Sequence, residues 1–176
     1  MKGLMLAMLS FILSLGQAYA LNPGDNAPDF SLMDQHQAIQ TLSDYRGQWV
    51  VVYFYPKNDT PGCTTEACSF RDNINGIIAK QATVFGVSVD SVESHKNFAK
   101  THRLPFSLLS DSDGKVAASY NSLFNLGIMK FARRNSFIID PNGQIAKVYK
   151  GVDPQTHVAE VLRDLQVLQE ANKTVF

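Results

Sequence analysis

The run Gln48 to Tyr55, QWVVVYFY, limits what this chain can become more than any other stretch of it. Nearly every residue in it is β-branched or aromatic, and neither side of an extended chain would be polar. Such a run suits a strand in the middle of a sheet, covered on both faces. It ends in a turn, PKNDTPG, after which Thr64 to Lys80 carries apolar residues at Ala67, Phe70, Ile74, Ile77 and Ile78. Offsets of three and four place these on one face of a helix. The alternation then repeats. Thr83 to Asp90, TVFGVSVD, reads as a second buried strand, and Ser91 to His102 as a helix that Ser91 can cap.

Shorter signals complete the pattern. Ala27 to Leu32 reads as a short strand, with Phe30 and Leu32 pointing to one side. Ser107 to Ser110 is a short extended piece, and DSDG at 111–114 is a turn into a further helix through Tyr120. Asn135 to Asp140 and Ile145 to Tyr149 flank Pro141-Asn142-Gly143, a hairpin signal. Asp153-Pro154 opens a last helix with Val158, Val161, Leu162, Leu165 and Leu168 on its inner face. Strand–helix–strand–helix followed by a hairpin and a helix implies an α/β protein, a mixed central sheet with helices on both faces. That is the thioredoxin-like arrangement.

At 176 residues, without repeats, low-complexity tracts or long linkers, the chain has room for one ordinary domain. Sixteen Lys and Arg balance sixteen Asp and Glu, so there is no basic surplus to neutralise phosphates, and a nucleic-acid partner is not expected. The N-terminus differs from the rest. Lys2 precedes LMLAMLSFILSLG, thirteen residues without a charge, and Ala18-Tyr19-Ala20 follows. A basic start, a short apolar stretch and an A-x-A ending describe a secretory signal peptide over residues 1–20. The alternative is a retained anchor, but a spanning helix needs about twenty apolar residues. The expected product is one domain over 21–176, exported to a periplasm or a similar oxidising space, without stable membrane association.

Chemistry gathers where the long strand ends. Cys63 falls in the turn between QWVVVYFY and the first helical pattern, where open α/β sheets place their reactive groups. A thiol at a helix N-terminus faces unpaired N–H groups and the positive end of the dipole, which favour the nucleophilic thiolate. Thr60 can turn its hydroxyl toward that sulfur, Gly62 leaves room for a small substrate, and Pro56 and Pro61 stiffen the loop. The plainer reading is a space-filling cysteine, against which the polar Pro/Gly turn argues. Cys68, five residues on, is wrongly spaced for a static disulfide. Helix rise, radius and twist put such Cα atoms roughly 8–9 Å apart, and a disulfide tolerates about 7 Å. The two sulfurs bond only if the helix unwinds, as a redox pair would use. Two cysteines alone do not build a disulfide scaffold or a four-thiolate metal site, and spacing leaves open two unrelated reduced thiols.

Pro56-x-x-x-Thr60-x-x-Cys63 matches the peroxiredoxin signature, and YFYPKNDTPGCTTEACSFRD resembles the bacterioferritin-comigratory, or peroxiredoxin Q, branch. The resemblance runs from PGDNAPDFSL through the last helix. It implies that Cys63 is the peroxidatic and Cys68 the resolving cysteine. It also implies an active-site arginine three residues before a phenylalanine, which is Arg134 in RNSFIID rather than Arg133. The implied activity is reduction of hydrogen peroxide and organic hydroperoxides, aided by the Cys63 N–H, the Thr60 hydroxyl and the Arg134 guanidinium. A Cys63 sulfenic acid would condense with Cys68, and a thioredoxin-like or glutaredoxin-like dithiol would reduce the bond. No metal or organic cofactor is implied, and the branch is mostly monomeric. Its members are mostly cytosolic or organellar, so the secretory leader is a departure.

Other residues invite plainer readings. Glu66 suits the helix dipole as an acid in the first turn. His36, His95, His102 and His157 are scattered, and none neighbours Cys63 in sequence, as a cysteine–histidine hydrolase would require in space. Trp49, Tyr53 and Tyr55 read as sheet core. Phe124, Ile128, Met129 and Phe131 read as a mobile loop over the site, as ordinary packing or as a docking surface. Two rival functions are a thiol–disulfide oxidoreductase, which lacks its two-residue cysteine spacing here, and a thioredoxin-like copper carrier.

Overall fold

The computed structural model describes residues 20–173, so the leader expected over 1–20 lies, Ala20 apart, outside the described residues. In chain order the elements are β1 (Ser31–Asp34), β2 (Ile39–Thr41), a 3-10 turn (Leu42–Tyr45), β3 (Trp49–Phe54), α1 (Pro61–Asp72), α2 (Ile74–Ala79), β4 (Ala82–Ser88), α3 (Val92–His102), β5 (Ser107–Ser110), α4 (Lys115–Ser119), β6 (Leu123–Asn125), β7 (Lys130–Ala132), β8 (Asn135–Ile139), β9 (Ile145–Lys150) and α5 (His157–Lys173). The main sheet runs β2-β1-β5-β4-β3-β8-β9. β3 pairs parallel with β4 and antiparallel with β8, and β4 pairs parallel with β5. The sheet is mixed, with the QWVVVYFY strand at its centre.

Every residue of β3 is buried, and its side chains alternate between two cores. Trp49, Val51 and Tyr53 share one with Ala67, Phe70, Phe98, Val161 and Leu165 of α1, α3 and α5. Val50, Val52 and Phe54 share the other with Ala117, Tyr120 and Phe137. Each large apolar side chain so covered contributes about 1.5–3 kcal/mol relative to exposure. A strand sandwiched this way gives the loop after Phe54 a rigid base.

Some boundaries depart from the sequence reading. The first strand is Ser31–Asp34 rather than Ala27 to Leu32, while Ala27 and Phe30 are buried ahead of it. The helix expected from Thr64 to Lys80 breaks at Asn73, whose side-chain amide donates to the Ser69 carbonyl at 2.9 Å. Asparagine competes for backbone groups in this way and commonly ends a helix. The last helix begins at His157 because Asp153 first makes a turn, its Oδ1 accepting Gln155 N–H and its carbonyl accepting Thr156 and His157 N–H. Ser91 does cap α3, accepting Ser94 N–H. The Phe124–Phe131 segment forms a separate hairpin, β6 against β7, with the two rings stacked 4.5 Å apart.

Candidate active site

The loop after β3 is pinned from below before it reaches the cysteine. Asn58 is buried; its backbone N–H donates to Asp90 Oδ2 at 2.9 Å and its side-chain amide to Ser94 Oγ at 2.8 Å. Tyr55 Oη donates to Asn58 Oδ1 at 2.8 Å. Thr60 follows in extended backbone as N-cap of α1, and Pro61 takes the first helical position, where a missing N–H costs nothing. The first intrahelical bond runs from Thr64 N–H to the Thr60 carbonyl at 2.9 Å. The Gly62 and Cys63 amides precede it and remain available to an anion.

Cys63 is buried, and Arg134 Nη2 donates to its Sγ at 3.3 Å. Arg134 stands just ahead of β8, so the central β3–β8 pairing brings a residue from late in the chain to the start of α1. Its Nη1 donates to Glu66 Oε2 at 2.7 Å. Burial works against the charge of Arg134, but Cys63 and Glu66 outweigh it and hold its pKa above the ordinary value. The guanidinium stays charged beside the sulfur. Arg133 is used elsewhere, its guanidinium lying 5.8 Å from the Phe124 ring centre.

The room at Gly62 has a different use from the expected one. A Cβ there would come within 3.1 Å of Arg134 Nη2 and 3.4 Å of Pro154 Cγ, so the missing side chain admits the guanidinium. The Thr60 hydroxyl does not turn toward Cys63 in this conformation; it donates to the Lys57 carbonyl at 3.0 Å. Its lone pairs stay free to accept. Pro56 opens the loop and lines a cavity of about 420 Å³ with Lys57, Val89, Met129 and Phe131, which sets the β6–β7 hairpin beside it. A second cavity, about 490 Å³, has Arg133, Arg134 and Lys150 in its lining but not Cys63. Arg134, rather than the larger volume, marks the sulfur.

Cys68 is half-buried five residues further along α1, and both cysteines are free thiols. Its Sγ lies 4.0 Å from His102 Nδ1, and His102 Nε2 lies 3.8 Å from Asp59 Oδ1. Each sulfur thus has its own partner. Three residues support this arrangement: Asn58, which the sequence reading did not single out, and Glu66 and His157, to which it gave plainer roles. Glu66 is fully buried, with Oε2 on Arg134 and Oε1 on His157 Nδ1 at 2.8 Å. It lies one turn beyond Cys63, so spacing could have found it. His157 lies 91 residues from Glu66, and no local signal announces it. Among the described residues no cluster of three His, Cys, Asp or Glu could hold a metal ion.

Comparison with known proteins follows the same residues. The profile of the AhpC/TSA family matches residues 23–148. Peroxiredoxin Bcp of Bacillus subtilis (strain 168) is 41% identical over 152 residues, covering 84% of this chain and 96% of its own. The chloroplastic peroxiredoxin Q of Sedum lineare is 42% identical over 147 residues, covering 83% and 78% respectively. Among solved structures, peroxidoxin BcpB of Mycobacterium tuberculosis superposes with a TM-score of 0.79 at 33% identity, over 84% of this chain and 97% of that one. A PrxQ mutant from Xylella fastidiosa superposes with the same score at 34% identity, over 85% and 98%.

Proposed function

The chain belongs to the AhpC/TSA family, among its Bcp and peroxiredoxin Q peroxidases, and from that premise we propose that it reduces hydrogen peroxide and organic hydroperoxides through a Cys63–Cys68 disulfide cycle. The observation that carries the reading is the 3.3 Å contact from Arg134 Nη2 to Cys63 Sγ. A fixed positive fork beside a sulfur stabilises the thiolate and offers donors to the two oxygens of a peroxide as they separate.

In the first step the Cys63 thiolate attacks the terminal peroxide oxygen. An S–O bond forms as the O–O bond breaks, and the departing oxygen leaves with the electron pair and takes a proton as water or an alcohol. Arg134 and the Gly62 and Cys63 amides face the developing charge, while the Thr60 oxygen accepts from the peroxide hydroxyl. In the second step Cys68 sulfur bonds to Cys63 sulfur. The S–O bond breaks, and hydroxide departs with the Cys68 proton as water. A dithiol then reduces the disulfide by exchange. The leader-like N-terminus supports an exported site of action, which calls for a thioredoxin-like or glutaredoxin-like reductant in the same space.

The test is turnover of hydrogen peroxide with a dithiol as reductant. Wild type is expected to turn over and Cys63→Ser to be inactive, with both proteins folded. Equal turnover in wild type and Cys63→Ser would refute the assignment. The copper-carrier reading needs both sulfurs on one ion, whereas Cys63 stands against Arg134 and Cys68 beside His102. Tight stoichiometric Cu(I) binding to the reduced protein would revive it.

A further inference from the structure

Glu66 stands between the two cysteines on α1, three residues after Cys63 and two before Cys68. Its buried carboxylate reaches two other parts of the fold, through Oε2 to Arg134 ahead of β8 and through Oε1 to His157 at the start of α5. A carboxylate only accepts here, so His157 Nδ1 carries the proton. The imidazole is fully buried, and its Nε2 has no hydrogen-bond partner. Phe70 and Tyr149 meet the ring edge to face at 5.6 and 5.4 Å. An apolar side chain would fill that space at less desolvation cost. The ring's hydrogen bond is spent on the one carboxylate that holds the guanidinium at the reactive sulfur.

We propose that His157 is a positioning residue for the peroxide step and that its bond to Glu66 is a latch holding α1 wound. A carboxylate bound at one oxygen can swing about its last carbon–carbon bond. The second bond fixes its plane, and with it the direction from which Arg134 meets Cys63. The latch half rests on the proposed disulfide. Any unwinding that brings Cys68 to Cys63 must carry Glu66, which lies between them, away from both partners. Losing His157 therefore slows the first step and speeds the second. A leucine in place of His157 keeps an apolar side chain against Phe70 and Tyr149, so opposite changes in the two steps report the lost bond rather than lost packing.

The experiment follows one turnover by rapid quench and intact mass, which separates the Cys63 sulfenic acid from the disulfide. His157→Leu fills the space without a donor, and His157→Asn sets an amide N–H close to where Nδ1–H stood. The leucine variant is expected to form sulfenic acid about tenfold to a hundredfold more slowly, the scale of a misplaced catalytic group. It should close the disulfide faster than wild type, and asparagine should restore both steps toward wild type. An unchanged first step in His157→Leu overturns the proposal, as does equal slowing in the leucine and asparagine variants. Should leucine fail to fold, His157→Gln replaces it, since its amide reaches the Nε2 position and leaves Glu66 Oε1 unbound. If wild type forms no disulfide, the cycle and the latch fail together, and the comparison of variants in the first step still decides the positioning role.

Discussion

Arg134 serves two partners with two nitrogens, one on Cys63 and one on Glu66. A lysine would keep the charge and lose the fork, so Arg134→Lys should lower the second-order rate with hydrogen peroxide by about a hundredfold, the scale of losing one transition-state donor. Stopped-flow reaction of the reduced protein checks this, and a near-wild-type rate would reduce the arginine to a generic positive charge. Thr60→Val should slow the same step while leaving thermal unfolding close to wild type, because the hydroxyl's hydrogen bond within the protein is to the exposed Lys57 carbonyl. The signature spacing made Pro56, Thr60 and Cys63 legible, and the phenylalanine three residues on singled out Arg134. Glu66 was visible as a residue but was assigned to the helix dipole, because a carboxylate's partners 68 and 91 residues away leave no trace in its neighbours. His157 and Asn58 matter only through such long-range contacts.

At the scale of elements, the strand signals were strong because burial on both faces demands an unbroken apolar run, and β3 and β4 meet that demand. Weaker edges were misplaced: β1 begins four residues later than expected, and β2 gave no clear alternation. Gly86 on β4 shows how tightly the central pair is closed. A Cβ there would lie 2.6 Å from Tyr53 Oη and 2.8 Å from Leu108 Cδ2, both in the fully buried core. Gly86→Ala should therefore destabilise the fold by about 1–3 kcal/mol, the usual cost of overpacking. Urea unfolding measures it, and an unchanged midpoint would mean that the ring can move aside. The break at Asn73 matters to the chemistry because it makes α1 a short helix, and both cysteines sit in its first eight residues.

The molecule as a whole carries a pH sensitivity apart from its thiols. His95 is buried; its Nδ1 accepts from the Asn58 amide, with Tyr55 Oη 3.2 Å away, and its Nε2 donates to the Leu109 carbonyl. Burial lowers its pKa below the ordinary 6.5, against the opposing pull of Asp90 and the Leu109 carbonyl. A histidine held neutral stabilises the fold above its unfolded pKa, and that contribution fades as pH falls below about 6.5 toward the folded value. Unfolding free energy should thus decline on acidification, with a smaller decline in His95→Gln. An equal decline in both would move the cause elsewhere. The same group anchors the loop that carries Cys63, so the core and the site share a support.

The central claim is that Cys63 attacks peroxide and that Cys68 reaches it only when α1 opens. Intact mass and free-thiol count before and after one equivalent of hydrogen peroxide test it most directly, with wild type beside Cys68→Ser. The account predicts that wild type loses both thiols within seconds and two hydrogens in mass, while the variant gains one oxygen as a trapped sulfenic acid. If wild type keeps its thiols through that exposure, Cys63 is not the activated nucleophile described here.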